Sequence, residues 1–80
     1  MDTETIKTDI TLDLRGIECP LNFVKTKIQL EKMKKGEILE IWIDEGEAIE
    51  SVPPSVIEEG HEILLNEKIE NYFKVLICKD

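Results

Sequence analysis

Eighty residues, 41% of them hydrophobic and 35% charged, leave room for one small domain with a single thin core. Ten basic residues against eighteen acidic ones give a formal charge of −8, a field that repels nucleic-acid phosphates and anionic membrane surfaces and favours a basic protein partner. No apolar run approaches the ~20 residues of a transmembrane helix, so neither a nucleic acid nor a membrane is an expected partner.

Residues 1–8 are polar and read as a flexible start, with residues 9–80 forming a single domain. Asp2 and Glu4 stand where a signal peptide would carry basic charge, so a cytoplasmic location is expected. Cys19 and Cys78 are too few to staple a domain of this size with disulfides, which agrees with a reducing compartment. From Asp9 onward, Ile10, Leu12 and Leu14 alternate with Thr11, Asp13 and Arg15, the period of a strand with one buried face. Gly16 ends that strand at a sharp turn.

Leu21 to Lys35 contains neither glycine nor proline and is rich in Lys, Glu, Gln, Leu and Met, so a helix is predicted there. Phe23, Thr26, Leu30 and Met33 lie on one face at i, i+3, i+7 and i+10, the face expected to meet the sheet. Leu21, Val24 and Ile28 form a second stripe, with two readings: an edge of the core, which is favoured, or an exposed docking surface. Lys34-Lys35-Gly36 suits the carbonyl end of a helix.

Ile38 to Ile43 reads as a strand with Leu39, Ile41 and Ile43 on one face and Ile38, Glu40 and Trp42 on the other. By phase Trp42 falls on the less covered face, but core packing is the role expected of it, since large aromatics are mostly buried. Asp44-Glu45-Gly46-Glu47 is an acidic turn. Proline fits only the first turn of a helix, so the regular part of a second helix is expected from Pro53 to Glu59, after an entry turn at Ala48 to Val52. Gly60 closes it. His61 to Asn66 reads as a third strand, residues 67–71 as a connection, and Tyr72 to Lys79 as the last strand.

The element order is therefore βαβαββ. Helices between the first three strands imply right-handed crossovers, and the short last connection implies an antiparallel pair. The predicted fold class is α+β, a two-layer α/β sandwich in which two helices cover one face of a four-stranded mixed sheet.

The stretch most suggestive of chemistry runs from Asp13 to Pro20. Pro20 is suited to the first position of a helix, which sets Cys19 at or beside the N-cap, among free N–H groups at the positive end of the helix dipole. A free thiol of pKa ~8.5 is only about 3% thiolate at pH 7, and lowering it to ~7 makes it about half thiolate. Arg15 favours that shift, whereas Asp13 and Glu18 oppose it. A papain-like hydrolase needs a histidine base, and the single histidine, His61, lies far along the chain. Cys-x-x-Cys is absent, and two cysteines with one histidine make a poor zinc set, so neither a metal nor a cofactor is expected. Transfer of sulfur as a persulfide needs little more than one accessible thiolate. Cys78 reads as a residue packed against the sheet, with a resolving thiol for Cys19 as the alternative.

Asp13, Gly16, Cys19 and Pro20 resemble the mark of the TusA (SirA-like) sulfur-carrier family, Asp-x-x-Gly-x-x-Cys-Pro-x-Pro at the start of the first helix. Lys35-Gly36-Glu37, the acidic turn at Asp44, Val52-Pro53 and Gly60-His61 extend the similarity over nearly the whole chain. The resemblance implies a βαβαββ sandwich and a sulfurtransferase-type carrier that takes sulfane sulfur on Cys19. Its implied partners are a cysteine desulfurase or rhodanese-like donor and a downstream acceptor protein, in tRNA thiolation, molybdenum-cofactor synthesis or sulfur oxidation. Gly16 and Pro20 would shape the turn, and Asp13, Arg15, Glu18 and Asn22 would surround the sulfur. Asn22 replaces the second proline of the motif, placing a side-chain amide where that proline would stand. A reading of another class is a non-catalytic, redox-linked interaction or regulatory module that uses the acidic surface and the second helical stripe.

Overall fold

The computed structural model describes residues 8–18 and 21–80. Residues 1–7 of the expected flexible start, together with Cys19 and Pro20, lie outside the described residues. The elements follow the order β1 (Ile10–Asp13), α1 (Leu21–Lys32), β2 (Ile38–Asp44), α2 (Glu47–Glu58), β3 (Glu62–Ile69) and β4 (Tyr72–Cys78). The strands form one sheet in the order β1-β2-β4-β3, with β1 parallel to β2, β4 antiparallel to β2 and β3 antiparallel to β4. The predicted α+β, two-layer sandwich with a mixed sheet is the observed architecture.

Alternation along the strands divides the sheet into two faces. Leu39, Ile41, Ile43, Val75 and Ile77 are completely buried, and they share one core with Leu30 and Met33 of α1 and Val52 and Val56 of α2. Both helices therefore cover the same face. The opposite face carries the intervening residues Glu40, Trp42, Tyr72, Lys74, Leu76 and Cys78, of which Leu76 is buried and the others half-buried. Trp42 is thus outside the core, as its phase in the strand indicates and contrary to the commoner fate of its residue type.

The first stripe of α1 meets the sheet as expected: Thr26, Leu30 and Met33 are buried, and Phe23 packs at the edge of the core. The second stripe does not form a core edge, because Leu21, Val24 and Ile28 are all exposed, as is Ile57 on α2. Two helices on a narrow sheet leave nothing to pack over the outer side of α1. The helix also ends at Lys32 rather than Lys35.

The largest difference from the expected elements is α2, which is helical from Glu47 and carries Pro53 and Pro54 in its interior. Each proline forfeits a hydrogen bond to the preceding turn, at about 3 kcal/mol in a helix interior. Ala48, Val52, Pro53 and Val56 are buried along one side of this helix, and full burial of residues such as the two valines contributes ~1.5–3 kcal/mol each. Tertiary burial offsets what local propensity disfavours. β3 likewise runs to Ile69, past the expected end at Asn66, because Asn66 to Ile69 pair with Val75 to Tyr72 across a two-residue turn. Glu70 in that turn adopts a positive φ of 52°, and a register shift between Ile63 and Leu65 accommodates the edge strand.

Candidate functional site

The carboxyl ends of β1 and β2 lie side by side because the two strands are parallel, with Asp13 opposite Trp42. The chain leaves β1 into the turn that leads to Cys19, and leaves β2 into the acidic turn that leads to α2. Carboxyl ends of parallel strands are where α/β proteins commonly receive ligands, since loops and helix starts converge there.

The turn after β1 is held by several contacts. Leu14, buried, donates its N–H to Trp42 O at 2.9 Å, and Ile17 N–H closes the turn on Leu14 O at 3.2 Å. Gly16 has a φ of +81°, a conformation that side chains of L-residues resist. Its N–H donates to the Asp44 carboxylate at 2.7 Å, tying the β1 turn to the end of β2.

Arg15 clamps the outer face. Its guanidinium donates from Nε and Nη2 to the two oxygens of Asp13, each at 2.8 Å, while its own N–H reaches Asp13 Oδ1 at 3.2 Å. The same guanidinium lies over Trp42, 5.0 Å from the ring centroid, and over Tyr72 at 4.7 Å. The two rings are themselves 5.8 Å apart and tilted by 45°. Such cation–π contacts add to the ion pair in fixing a planar guanidinium. The hydrogen bonds from Arg15 hold the Asp13 carboxyl down from the usual 3.8 to about 2.

The start of α1 contributes Asn22, whose N–H donates to Glu18 O at 3.2 Å, the residue that precedes Cys19 in the chain. The Asn22 side chain is only 1% exposed. Its Oδ1 accepts the Phe23 N–H at 2.7 Å, while its Nδ2 has no hydrogen-bond partner among the described residues. A buried unsatisfied donor costs roughly 1–3 kcal/mol, so this position is held against a local penalty.

Between these elements lies a cleft of about 400 Å³ lined by Gly16, Ile17, Glu18, Asn22, Asp44, Glu45, Glu47 and Ala48. Three separate segments thus meet there: the motif turn, the first turn of α1, and the β2–α2 junction. Gly46 caps α2 without any side-chain hydrogen bond, and Glu47 and Glu50 sit in its first turn, where negative charge complements the helix dipole.

Asp13, Arg15, Gly16, Glu18 and Asn22 all fall at this end of the molecule, although Asp13 and Arg15 engage the outer face of the sheet rather than the cleft. The participation of Asp44, Glu45 and Glu47 and the stacking of Trp42 and Tyr72 on Arg15 were not legible as site features in the sequence. The parallel register of β1 and β2 is the signal for Asp44, but it exists only once the strands are paired.

The other residues considered for chemistry lie elsewhere. Cys78 is opposite Ile38, at the far end of β2 from Asp44, about 20 Å away at ~3.3 Å per strand residue. It is half-buried, and a disulfide requires Cα atoms within about 7 Å. Residues 18 and 21, which flank Cys19 in the chain, are at the opposite end of the sheet. His61 follows the carboxyl end of α2, where its Nδ1 accepts the Asp80 N–H at 3.1 Å. Among the described residues, no three His, Cys, Asp or Glu side chains are grouped so as to hold a metal ion, and no helix is long and apolar enough to cross a membrane.

A family model described as "Sulfurtransferase TusA" matches residues 10–79. A protein of Archaeoglobus fulgidus described as "Putative sulfur carrier protein" is 46% identical over 79 residues, covering 98% of this chain and 90% of its own length. One of the same description from Thermotoga maritima is 49% identical over 59 residues, covering 74% of this chain and 75% of that protein. The crystal structure of a SirA-like protein from Desulfitobacterium hafniense aligns with a TM-score of 0.70 at 24% identity, covering 86% of this chain and 95% of that one, a likeness of fold.

Proposed function

This chain belongs to the TusA family of sulfur carriers, and from that premise we propose that it holds sulfane sulfur as a persulfide on Cys19 and passes it to an acceptor protein. The observation that supports this most is the construction of the turn leading to Cys19. Gly16 is tied to Asp44, Arg15 is clamped between Asp13 and two aromatic rings, and an open cleft lies alongside. His61 and Cys78 lie at the other end of the fold from the Gly16 turn, which supports a reading in which neither serves as base or resolving thiol.

The transfer is an exchange. The Cys19 thiolate attacks the outer sulfur of a donor persulfide, the donor S–S bond breaks, and the donor departs as a thiolate with the electron pair of that bond. In the second step a nucleophile of the acceptor attacks the outer sulfur on Cys19, and Cys19 is released as a thiolate. Each step forms one bond to sulfur as it breaks another, and its rate follows thiolate fraction and access. The donor is a cysteine desulfurase or rhodanese-like protein, and the acceptor belongs to tRNA thiolation, molybdenum-cofactor synthesis or sulfur oxidation, in the cytoplasm.

Intact-mass measurement after incubation with a cysteine desulfurase and cysteine tests this reading. The wild type is expected to gain one sulfur and Cys19→Ser none, and equal gain by both overturns it. A second reading, a non-catalytic interaction module, is favoured by the exposed stripe of Leu21, Val24 and Ile28 on α1 and the exposed Ile57 on α2. Capture of a partner that is undiminished in Cys19→Ala, without sulfur uptake by the wild type, would support that reading instead.

A further inference from the structure

We propose that the cleft beside the Gly16 turn is a binding site for a cationic side chain, arginine or lysine, together with its peptide carbonyl, on the protein that exchanges sulfur with this chain. The assignment to a sulfur partner rests on the carrier reading above; the chemistry of the cleft does not.

Four carboxylates border the cleft: Glu18 from the motif turn, Asp44 and Glu45 from the end of β2, and Glu47 from the start of α2. Their charge is poorly matched from within. Asp44 accepts the neutral Gly16 N–H, Glu45 pairs with Lys68 at 3.2 Å, and Arg15 is taken up by Asp13 on the outer face of the sheet. Neither Glu18 nor Glu47 has an ion-pair partner among the described residues. A cleft lined by one sign of charge concentrates the opposite sign, and the net charge of −8 reinforces that field.

Carboxylates alone would describe any acidic surface; Asn22 is what gives this cleft a ligand. It lines the cleft, is 1% exposed, and leaves a buried Nδ2 donor without a partner among the described residues. An unsatisfied amide N–H calls for a neutral or anionic oxygen, and the surrounding carboxylates exclude an anion. A peptide carbonyl meets both conditions, and a basic side chain on the same residue meets the carboxylates. The planar guanidinium, with its fork of donors, suits several carboxylate oxygens better than a lysine ammonium does. About 400 Å³ accommodates one long side chain and its peptide unit, at the small end of ligand pockets. Asn22 occupies the place of the second proline in the Cys-Pro-x-Pro pattern, so the donor that reads the carbonyl is a feature of this chain.

The test is an NMR titration of the full chain with N-acetyl-L-argininamide, which carries the cation and a carbonyl without a carboxylate. The neutral isostere N-acetyl-L-citrullinamide is the comparator. Saturable shifts are expected at the amides of Gly16, Ile17, Glu18, Asn22 and residues 44–48, with the citrulline compound at least about tenfold weaker. Glu45→Gln with Glu47→Gln should weaken the arginine compound by about fivefold or more, as should Asn22→Ala. The glutamine variants alter exposed side chains, so the test survives if Asn22→Ala does not fold.

Equal binding of the two compounds overturns the proposal, as do shifts spread over Glu50, Glu58 and Glu59 or the absence of a saturable response. Cys19→Ser should bind the arginine compound as the wild type does. Sulfur loading on Cys19 without arginine binding removes this inference and leaves the carrier reading intact. Arginine binding with equal sulfur gain in Cys19→Ser removes the carrier reading, and with it the assignment of the cleft to a sulfur partner.

Discussion

The two ends of the sheet are built differently. At the Cys78 end, backbone closes on backbone: Gly36 N–H donates to Lys79 O at 2.8 Å, Lys79 N–H to Glu37 O at 2.9 Å, and the Lys79 ammonium to Leu30 O at 2.6 Å. At the other end, beyond β1 and β2, side chains hold a glycine turn in place and an acidic cleft stays open. The first arrangement satisfies polar groups internally. Among the described residues, the second leaves charge and a donor unmatched, which is how a small fold reserves a surface for another molecule.

The most decisive way to break this comparison is to exchange each thiol in turn. Cys19→Ser should abolish sulfur uptake, while Cys78→Ser should leave it unchanged, both read by intact mass after incubation with a sulfur donor. Uptake that depends on Cys78 would remove the distinction between the two ends.

Next in size are the glycines that turn the chain at each end, Gly16 with a φ of +81° and Gly60 with +101°. An added Cβ meets nothing within 4 Å at Gly16 and only Asp80 Oδ2 at 3.9 Å at Gly60, so the cost of alanine is backbone strain alone. Gly16→Ala and Gly60→Ala should each lower stability by about 1–2 kcal/mol in denaturant unfolding. Only Gly16→Ala should also slow sulfur loading.

A smaller effect is expected from Asp44→Asn, which replaces a charge-assisted hydrogen bond to Gly16 N–H by a neutral one, about 1 kcal/mol in unfolding free energy. Slower loading at unchanged donor concentration would accompany it if the β1 turn depends on that tie. The smallest and most specific effect is the pH response of the Arg15 clamp. Asp13 titrates near 3.8 when unfolded and at about 2 when folded, so its contribution is fully present above pH ~4 and lost as pH falls toward ~2. Unfolding of Asp13→Asn measured against wild type across that window should converge toward acid pH. A difference that stays constant would show that the ion pair is not the source.

How much of this was legible beforehand depends on the range of the interaction. The apolar alternation of Leu39, Ile41 and Ile43, the helical stripe of Thr26, Leu30 and Met33, and the turn at Gly16 depend on residues a few positions apart, and each was read correctly from the chain. The α2 boundary was not, because Pro53 and Pro54 are locally unfavourable within a helix and are tolerated only where Pro53, Val52 and Val56 become buried. Trp42 followed its strand phase and not its residue type. The second stripe of α1 was ambiguous because its periodicity is the same whether or not another element covers it.

By itself, the amino-acid sequence determined the βαβαββ order, the core faces, and the glycine turn at Gly16 that ends the first strand. These follow from local sterics and from the repeat of apolar residues along each element. Only the tertiary structure decided that Asp44 secures Gly16, that Arg15 lies across Trp42 and Tyr72, and that Asn22 borders an acidic cleft with a donor unmatched among the described residues. Those relations join residues from different strands and helices, so they arise from strand register and helix packing, which no stretch of the chain specifies alone.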